Sequence, residues 1–244
     1  MNETGSNPYV IPLSILISGV LIAAAIMYVG DGSFGRVGAQ LGSAADGGTE
    51  PSAKENNSLE LVRPISAEDH LLGNPSAPVK IIEYSDLECP FCSQFHLTMK
   101  QAMDEFGKEG KVAWVYRHFP LEQIHQQARP GAEAAECADD LGGSQAFWSF
   151  IDTVFAKQEA GLSAALFSQT AGDVGLDRAA FDSCVSANSH GNIIDADIQN
   201  ALDSGGQGTP YSVIIAADGS KQSVPGAVPY TTLKSQIERA LGGK

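Results

Sequence analysis

The sequence predicts an α/β domain in which a strand–helix–strand unit, a run of helices, a β-hairpin and a last helix follow one another. Residues 79–84 and 112–116 are short apolar runs typical of buried strands, and residues 90–106 between them carry apolar side chains at helical spacing. Residues 211–215 and 222–224 are predicted to form the hairpin, because Asp218 and Gly219 supply a turn between them. The first two strands therefore form a βαβ unit.

Residues from about 126 to 204 are predicted to be helical and to interrupt the sheet, as an insertion spanning about residues 121–205. Pro130 lies near a predicted helix start, and Asp177 is a predicted N-cap. Apolar side chains recur on the faces of these helices and of the last helix: Ala134, Cys137, Ala138 and Leu141; Phe147, Trp148, Ile151, Val154 and Phe155; Phe181, Cys184 and Val185; Leu233, Ile237 and Leu241.

The first 58 residues are predicted to lie outside this domain. After a tail at residues 1–9, residues 10–29 carry no charge and are long enough to cross a hydrocarbon core of about 30 Å as a helix. A cleaved signal peptide is the alternative, but its apolar region is normally shorter and follows Lys or Arg, which residues 1–9 lack. Residues 30–58 are rich in Gly, Ser, Ala, Asp and Asn and predict a flexible linker, so the domain covers residues 59–244.

Charge and cysteine count limit the function without deciding it. The formal net charge is −14, so a nucleic-acid backbone would be repelled and no nucleic-acid partner is expected. The four cysteines Cys89, Cys92, Cys137 and Cys184 permit three disulfide pairings, and the sequence alone does not choose among them. Charge does not orient the anchor either, since only the terminal amine precedes it and Arg36 follows.

The motif Cys89-Pro90-Phe91-Cys92 at the start of the predicted helix indicates thiol–disulfide exchange. A cysteine there lies beside unpaired backbone N–H groups at the positive end of the helix dipole, which favours the Cys89 thiolate. Cys92, one turn later, can attack a mixed disulfide formed at Cys89, and Pro90 suits the first turn because it needs no donor there. We therefore predict that Cys89 is the nucleophile and Cys92 the resolving thiol.

Other chemistries fit the sequence less well. A structural zinc site needs a second closely spaced ligand pair, whereas Cys137 and Cys184 are isolated singles. A purely structural Cys89–Cys92 bridge would close a very short loop and remove little entropy from the unfolded chain. The five histidines show no metal-ligand spacing, and no phosphate-binding loop or serine elbow occurs in the sequence, so neither a metal nor a cofactor is expected. His96, one turn after Cys92, is expected to face solvent.

Five blocks of the sequence occur in an order known from one family: residues 73–79, 83–92, 117–121, 134–138 and 208–210. Through these blocks the chain resembles the DsbA-like thioredoxin domains, including their membrane-anchored forms, from about residue 71 to residue 241. The resemblance implies a thioredoxin-like fold with a helical insertion. It also implies a thiol–disulfide oxidoreductase.

The same resemblance assigns roles to residues around the cysteine pair. It implies that Pro210 follows a cis peptide bond beside the sulfurs, and that Thr209 offers backbone hydrogen bonds to an extended substrate. Pro90 and Phe91 belong to the same substrate-binding surface. Glu83 matches a buried acidic residue that helps to move the proton of the resolving cysteine, although an exposed Glu at a strand edge is the alternative.

The remaining cysteines and Phe91 carry further implications of the resemblance. Cys137 and Cys184 match a pair that forms a structural disulfide bracing the insertion; two unpaired buried thiols are the alternative. Phe91 departs from the best-known strong oxidants, which carry His in the dipeptide, and this departure predicts a less oxidising centre.

The predicted function is therefore that of a single-pass membrane protein whose catalytic domain lies outside the cytoplasm and oxidises dithiols. Its substrates would be reduced or misoxidised extracytoplasmic proteins, and a DsbB-like or VKOR-like membrane partner would re-oxidise it. A disulfide reductase or isomerase is the nearest alternative. A tethered peptide-binding module or holdase, using the groove near Pro210 without turnover, is the alternative from another class.

Overall fold

A five-stranded mixed sheet organises residues 58–242, the part of the chain that the computed structural model describes. Its strands lie in the spatial order β1-β3-β2-β4-β5. Their bounds are β1 (His70–Gly73), β2 (Val79–Ser85), β3 (Val112–His118), β4 (Tyr211–Ile215) and β5 (Lys221–Pro225). β2 and β3 are parallel, whereas the other neighbours are antiparallel. In the spatial order of the five strands, β2 is the central one.

The helices lie between and after these strands. Their bounds are α1 (Pro90–Ala102), α2 (Ala128–Lys157), α3 (Ala164–Asp173), α4 (Arg178–Ala187), α5 (Gly191–Asp203) and α6 (Tyr230–Ala240). α1 connects β2 to β3 and continues into a π-helical turn, Met103–Gly107. α2 to α5 lie between β3 and β4, with a 3₁₀ turn, Gln158–Ala160, after α2. This order confirms the predicted βαβ unit, helical insertion, hairpin and last helix.

Three features differ from the sequence pattern or lie beyond it. β1, which pairs antiparallel with β3, is not predicted, because four residues are too few to show an alternating pattern. α2 is broken at Gly143, whose φ of 68° and ψ of −172° suit glycine and few other residues. The predicted tail, anchor and linker at residues 1–57 lie outside the described residues. In residues 58–242, no helix is both long and apolar enough to span a bilayer.

Two apolar cores cover the two faces of the sheet. Val79 and Ile81 of β2 point into the larger core, which holds both active-site cysteines and the apolar side chains of α1 and α2. Ile82 and Tyr84, with the opposite parity, point into the smaller core together with Ala201 of α5. Since successive strand residues alternate between faces, the parity of a β2 residue decides which core it meets.

Glu136 of α2 connects the insertion to the sheet. One of its carboxylate oxygens lies 2.8 Å from Nε2 of His70 in β1 and 2.8 Å from Nε2 of His118 in β3. Burial by itself would raise the pKa of Glu136, but the hydrogen bonds from the two histidines lower it overall. The His70 ring also stacks on Phe147 of α2, with ring centroids 3.5 Å apart. This cluster therefore holds α2 against the β1–β3 edge.

A disulfide between Cys137 and Cys184 ties α2 to α4. Cys137 is buried in the larger apolar core, and the two cysteines are 47 residues apart in the sequence. Because a bridge across so long a segment restricts the unfolded chain strongly, it stabilises the folded insertion.

Replacing both Cys137 and Cys184 by alanine is expected to lower the free energy of unfolding by about 4 kcal/mol, from the loop-closure entropy of a segment this long. Equilibrium urea unfolding, followed by circular dichroism, measures the change. Cys89→Ala is the matched control, since it removes a buried sulfur and leaves the bridge intact. An unchanged unfolding midpoint in the double variant would contradict a stabilising role.

Candidate active site

The cysteine pair lies where β2 ends and α1 begins. Cys89 is the N-cap of α1 and has an extended backbone (φ −75°, ψ 121°), while Pro90 occupies the first turn. The Cys89 carbonyl accepts hydrogen bonds from the backbone N–H groups of Cys92 (3.1 Å) and Ser93 (3.2 Å). Both Cys89 and Cys92 are reduced thiols, and both are largely buried. The Cys89 sulfur therefore meets the N-terminal end of the helix.

The peptide bond between Thr209 and Pro210 is cis and lies directly before β4. The Cys89 sulfur is 3.5 Å from the carbonyl oxygen of Thr209. Residues far apart in the sequence thus meet at one sulfur. Beside them is a cleft of about 680 Å³, whose lining includes Gln207, Gly208, Thr209, Pro210, Pro225 and Gly226.

Pro90 and Phe91 lie on the outer side of the motif. Both are exposed, and the Phe91 side chain leaves 59% of its surface accessible. An exposed phenylalanine next to the Cys89 sulfur offers apolar contact surface to a bound polypeptide. The structure thus brings Cys89, the cis proline and an exposed aromatic ring to one side of the domain.

Gln158, at the end of the long helical segment, supports the loop before α1. Its side-chain amide donates hydrogen bonds to the carbonyl oxygens of Leu87 (2.7 Å) and Cys89 (3.1 Å). The sequence reasoning missed this residue, because nothing in the local pattern shows that a glutamine so distant in the chain reaches the motif. Gln158 therefore fixes the backbone from which the Cys89 side chain projects.

Asp86 is a second supporting residue that sequence reasoning missed. Its buried carboxylate accepts hydrogen bonds from the backbone N–H groups of Glu88 (2.8 Å) and Leu121 (2.9 Å), and it lies 2.8 Å from Nδ1 of His125. Its own backbone N–H points at the Cys92 sulfur, 3.4 Å away. Asp86 therefore positions the loop and touches the resolving thiol.

The two sulfurs have opposite acidities. The pKa of Cys89 is lowered to about 6, chiefly by a hydrogen bond from the Cys92 side chain, with further help from the backbone N–H groups of Cys92 and Phe91. The pKa of Cys92 is raised well above the ordinary value, first by burial and then by its interaction with Cys89. At neutral pH the pair therefore holds one thiolate, at Cys89, and one thiol, at Cys92.

Glu83 lies on the central strand β2 and is completely buried, so it is not an exposed residue at a sheet edge. Burial raises its pKa to about 7, against the lowering effect of Ser85 and Trp114. Its negative charge is one of the groups that raise the pKa of Cys92. Near neutral pH this carboxyl group can therefore either give or accept a proton close to the Cys92 sulfur.

The expectation that His96 faces solvent is wrong. Only 2% of its surface is exposed, and its ring packs against Trp114 and Phe155. Nε2 of His96 lies 2.6 Å from a carboxylate oxygen of Asp152 in α2. Burial lowers the pKa of His96, which favours the neutral ring. Its contacts with Phe155 and Asp152 help to pack α1 against α2.

A family model described as thioredoxin matches residues 66–239. The chain belongs to the thioredoxin family. Among solved structures, DsbA2 of Pseudomonas aeruginosa is 33% identical with a TM-score of 0.61, and the match covers 74% of this chain and 98% of that one. α-DsbA1 of Wolbachia pipientis is 25% identical with a TM-score of 0.66, over 76% of this chain and 96% of that one. The chain is thus a DsbA-like member of the thioredoxin superfamily of thiol–disulfide oxidoreductases, which confirms the resemblance.

A curated relative is similar to part of this chain. The Na(+)/H(+) antiporter NhaA 1 of Mycolicibacterium gilvum is 39% identical over 109 residues, which are 44% of this chain and 17% of the antiporter. The chain therefore spans less than a fifth of this relative. The similarity concerns one segment of the antiporter.

Replacing Cys92 by alanine in this DsbA-like centre is expected to raise the pKa of Cys89, because the Cys92 hydrogen bond is the largest contribution that lowers it. The ultraviolet absorbance of the thiolate against pH should show a midpoint near 6 in the parent protein and a higher one in the variant. Ser93→Ala is the matched control, since Ser93 is the next residue and bonds to the Phe155 carbonyl. Equal midpoints in parent and Cys92→Ala would rule out this cause.

Replacing Glu83 by glutamine is expected to stabilise the domain at high pH and not at low pH. An unperturbed glutamate carboxyl has a pKa of 4.5, whereas the pKa of Glu83 in the folded domain is about 7. Between pH 4.5 and pH 7 the folded state therefore binds more protons than the unfolded state. The free energy of unfolding therefore falls as pH rises through this window, by about 3 kcal/mol in total for this one group. Because glutamine stays neutral at every pH, the free energy of unfolding of the variant should not fall for this reason.

Urea unfolding at pH 4 and pH 8 measures this effect of Glu83→Gln. The variant should match the parent at the lower pH and exceed it at the higher pH. Glu159→Gln, at an exposed position of the 3₁₀ turn, is the control. A stability difference that stays the same at both pH values would show that the Glu83 carboxyl does not change its protonation in this range.

Proposed function

We propose that the chain introduces disulfides into proteins outside the cytoplasm through the Cys89–Cys92 pair. The opposed acidities of the two sulfurs are the observation that carries this proposal. A Cys89 pKa of about 6 leaves this sulfur mostly ionised at neutral pH. Because a stabilised thiolate favours the reduced form of the pair, the disulfide form tends to take electrons from other dithiols.

The proposed reaction passes two electrons from the substrate to the pair. A substrate thiolate attacks the Cys89 sulfur of the oxidised pair, the Cys89–Cys92 bond breaks, and Cys92 departs and takes up a proton. The second substrate thiolate then attacks the substrate sulfur of the mixed disulfide. The substrate disulfide forms, and Cys89 leaves as a thiolate.

The acidities also favour this outcome of the mixed disulfide over its reversal. A thiol of low pKa leaves faster, so Cys89 is a good leaving group when the second substrate thiol attacks. Reversal requires a Cys92 thiolate, and the raised pKa of Cys92 makes that thiolate scarce. A reductase depends instead on the attack of Cys92, which releases the reduced substrate.

Substrate binding is proposed at Thr209, Pro210 and the outer side of the motif. An extended polypeptide could pair with the Thr209 backbone, while its side chains contact the cleft beside Pro210 and the exposed ring of Phe91. Backbone pairing depends little on side chains. This mode of binding therefore suits many unfolded clients.

We further propose that residues 10–29 anchor the chain in a membrane with the domain on the extracytoplasmic side, and that a DsbB-like or VKOR-like membrane partner re-oxidises the pair. The Cys137–Cys184 disulfide supports this location, since structural disulfides persist in oxidising compartments. The reduced pair carries two electrons after each reaction. An oxidant in the same membrane could accept these electrons while both proteins stay in the membrane.

Cys89→Ser is expected to abolish the oxidative refolding of a reduced, unfolded disulfide protein, because no mixed disulfide can form. Equilibration of the parent with glutathione should give a reduction potential between thioredoxin's roughly −270 mV and the value of about −120 mV known for the strongest oxidants of the family. Cys92→Ser is the matched control, since its Cys89 thiolate should still attack a disulfide of an oxidised substrate and stay joined to it as a mixed disulfide. A potential near the thioredoxin value would instead indicate a reductase. Refolding by Cys89→Ser at the parent rate would indicate a holdase.

A further inference from the structure

Four polar side chains share the face of the sheet that packs against α1. Glu83 and Ser85 are two residues apart on β2 and therefore point to the same side. Tyr116 of β3 and Ser212 of β4 are the direct neighbours of Glu83 across the sheet. The apolar residues of the same parity in β2 belong to the core that contains both active-site cysteines. We call these four residues the hydroxyl pocket.

The hydroxyl pocket is buried and its polar atoms are poorly matched. All four residues are at most 1% exposed. Within residues 58–242, neither carboxylate oxygen of Glu83 nor any of the three hydroxyl groups makes a direct hydrogen bond of good geometry. Since buried polar groups in proteins are nearly always paired, the polar atoms of the hydroxyl pocket have unused hydrogen-bonding capacity close to the Cys92 thiol.

Among the pocket hydroxyls, that of Ser85 is in the best position to contact both proton-exchanging groups. It follows Glu83 on the same face, and it directly precedes Asp86, whose backbone N–H points at the Cys92 sulfur from 3.4 Å. Burial raises the pKa of both Glu83 and Cys92, and the Ser85 hydroxyl opposes this rise at each of them. Cys92 affects Tyr116, by contrast, through charge alone.

We propose that the Ser85 hydroxyl relays the proton between Glu83 and Cys92 during disulfide exchange, an inference that rests on the proposed function of the pair. A hydroxyl group is both donor and acceptor, so it can give a proton to one neighbour while taking one from the other. When Cys92 departs as a thiolate, Ser85 gives it a proton and receives one from protonated Glu83. When Cys92 attacks, the same protons move in the opposite direction.

Several other titratable groups surround the proton path. Cys89 lies on the same helix as Cys92, and Tyr116 projects from β3 into the pocket. The Asp86 carboxylate acts on Tyr116 through its charge and is itself hydrogen-bonded near His125. Of these groups, Cys89 raises the pKa of Cys92. The Ser85 hydroxyl differs from them because it acts on both Glu83 and Cys92.

The test follows the attack of Cys92 by stopped-flow absorbance after mixing the reduced protein with an aromatic disulfide. The first aryl thiolate released reports the mixed disulfide at Cys89 and depends on reagent concentration. The second reports the attack of Cys92 on the Cys89 sulfur, which forms the internal disulfide and does not depend on reagent concentration. This second phase is compared over a range of pH in the parent, Ser85→Ala, Ser85→Thr and Ser93→Ala.

Ser85→Ala is expected to slow the second phase about a hundredfold at pH 7, the lower end of general acid–base effects. The rates should converge at high pH, where Cys92 ionises without help. Ser85→Thr should restore the parent rate because it keeps the hydroxyl. Ser93→Ala should not change the rate, since the Ser93 hydroxyl bonds to the Phe155 carbonyl and lies outside the hydroxyl pocket. Circular dichroism shows whether each variant is folded.

Two results would overturn the relay. One is a Ser85→Ala rate equal to the parent rate at pH 7, and the other is a slowing that is equal at every pH, which indicates a structural role. The proposed function fails separately, if the parent protein itself shows no second phase. A parent with a normal second phase and a Ser85→Ala variant that matches it would refute the relay alone.

Discussion

The position of β2 between a parallel and an antiparallel neighbour is the constraint on which the rest of the site depends. Because β2 and β3 are parallel, a crossover helix must begin at the edge where β2 ends, and this places Cys89 at the start of α1. Because β4 is antiparallel to β2, its first residue, Tyr211, lies opposite Tyr84 near that same edge. The cis bond before Pro210 therefore arrives beside the sulfur from a distant part of the chain.

Two sulfurs three residues apart acquire opposite properties because they face different surroundings. The Cys89 sulfur meets backbone N–H groups at the helix start, whereas the Cys92 sulfur lies deeper, near a carboxyl group that has no cationic partner in the part of the chain described. A buried carboxyl without a counter-charge reduces stability at neutral pH. Its retention at the centre of the sheet is understandable if proton transfer at Cys92 requires it, since functional sites often sacrifice stability.

The sequence predicts the parts of this structure that depend on local patterns. β2, β3 and α1 appear close to their predicted bounds, because apolar runs and helical periodicity reflect burial directly. It does not predict contacts between distant residues, such as the bonds of Gln158 to the loop before α1. His96 shows the same limit, since a polar residue on a helix suggests exposure unless the facing helix is known to bring Asp152 to it. The family resemblance pointed to Glu83, but only the strand order shows that it is central and buried.

The acidity of Cys89 and the nature of the surface around its sulfur depend on different parts of the motif, as Phe91 shows. Its side chain lacks the charge that a histidine would provide, yet the pKa of Cys89 is still lowered to about 6. The groups responsible are the Cys92 side chain and backbone N–H groups, including that of Phe91 itself, and these depend on helix geometry rather than on the dipeptide side chains. The dipeptide is therefore free to determine the surface around the sulfur. The exposed Phe91 ring makes that surface more apolar than a histidine would, which fits the substrate binding proposed at the outer side of the motif.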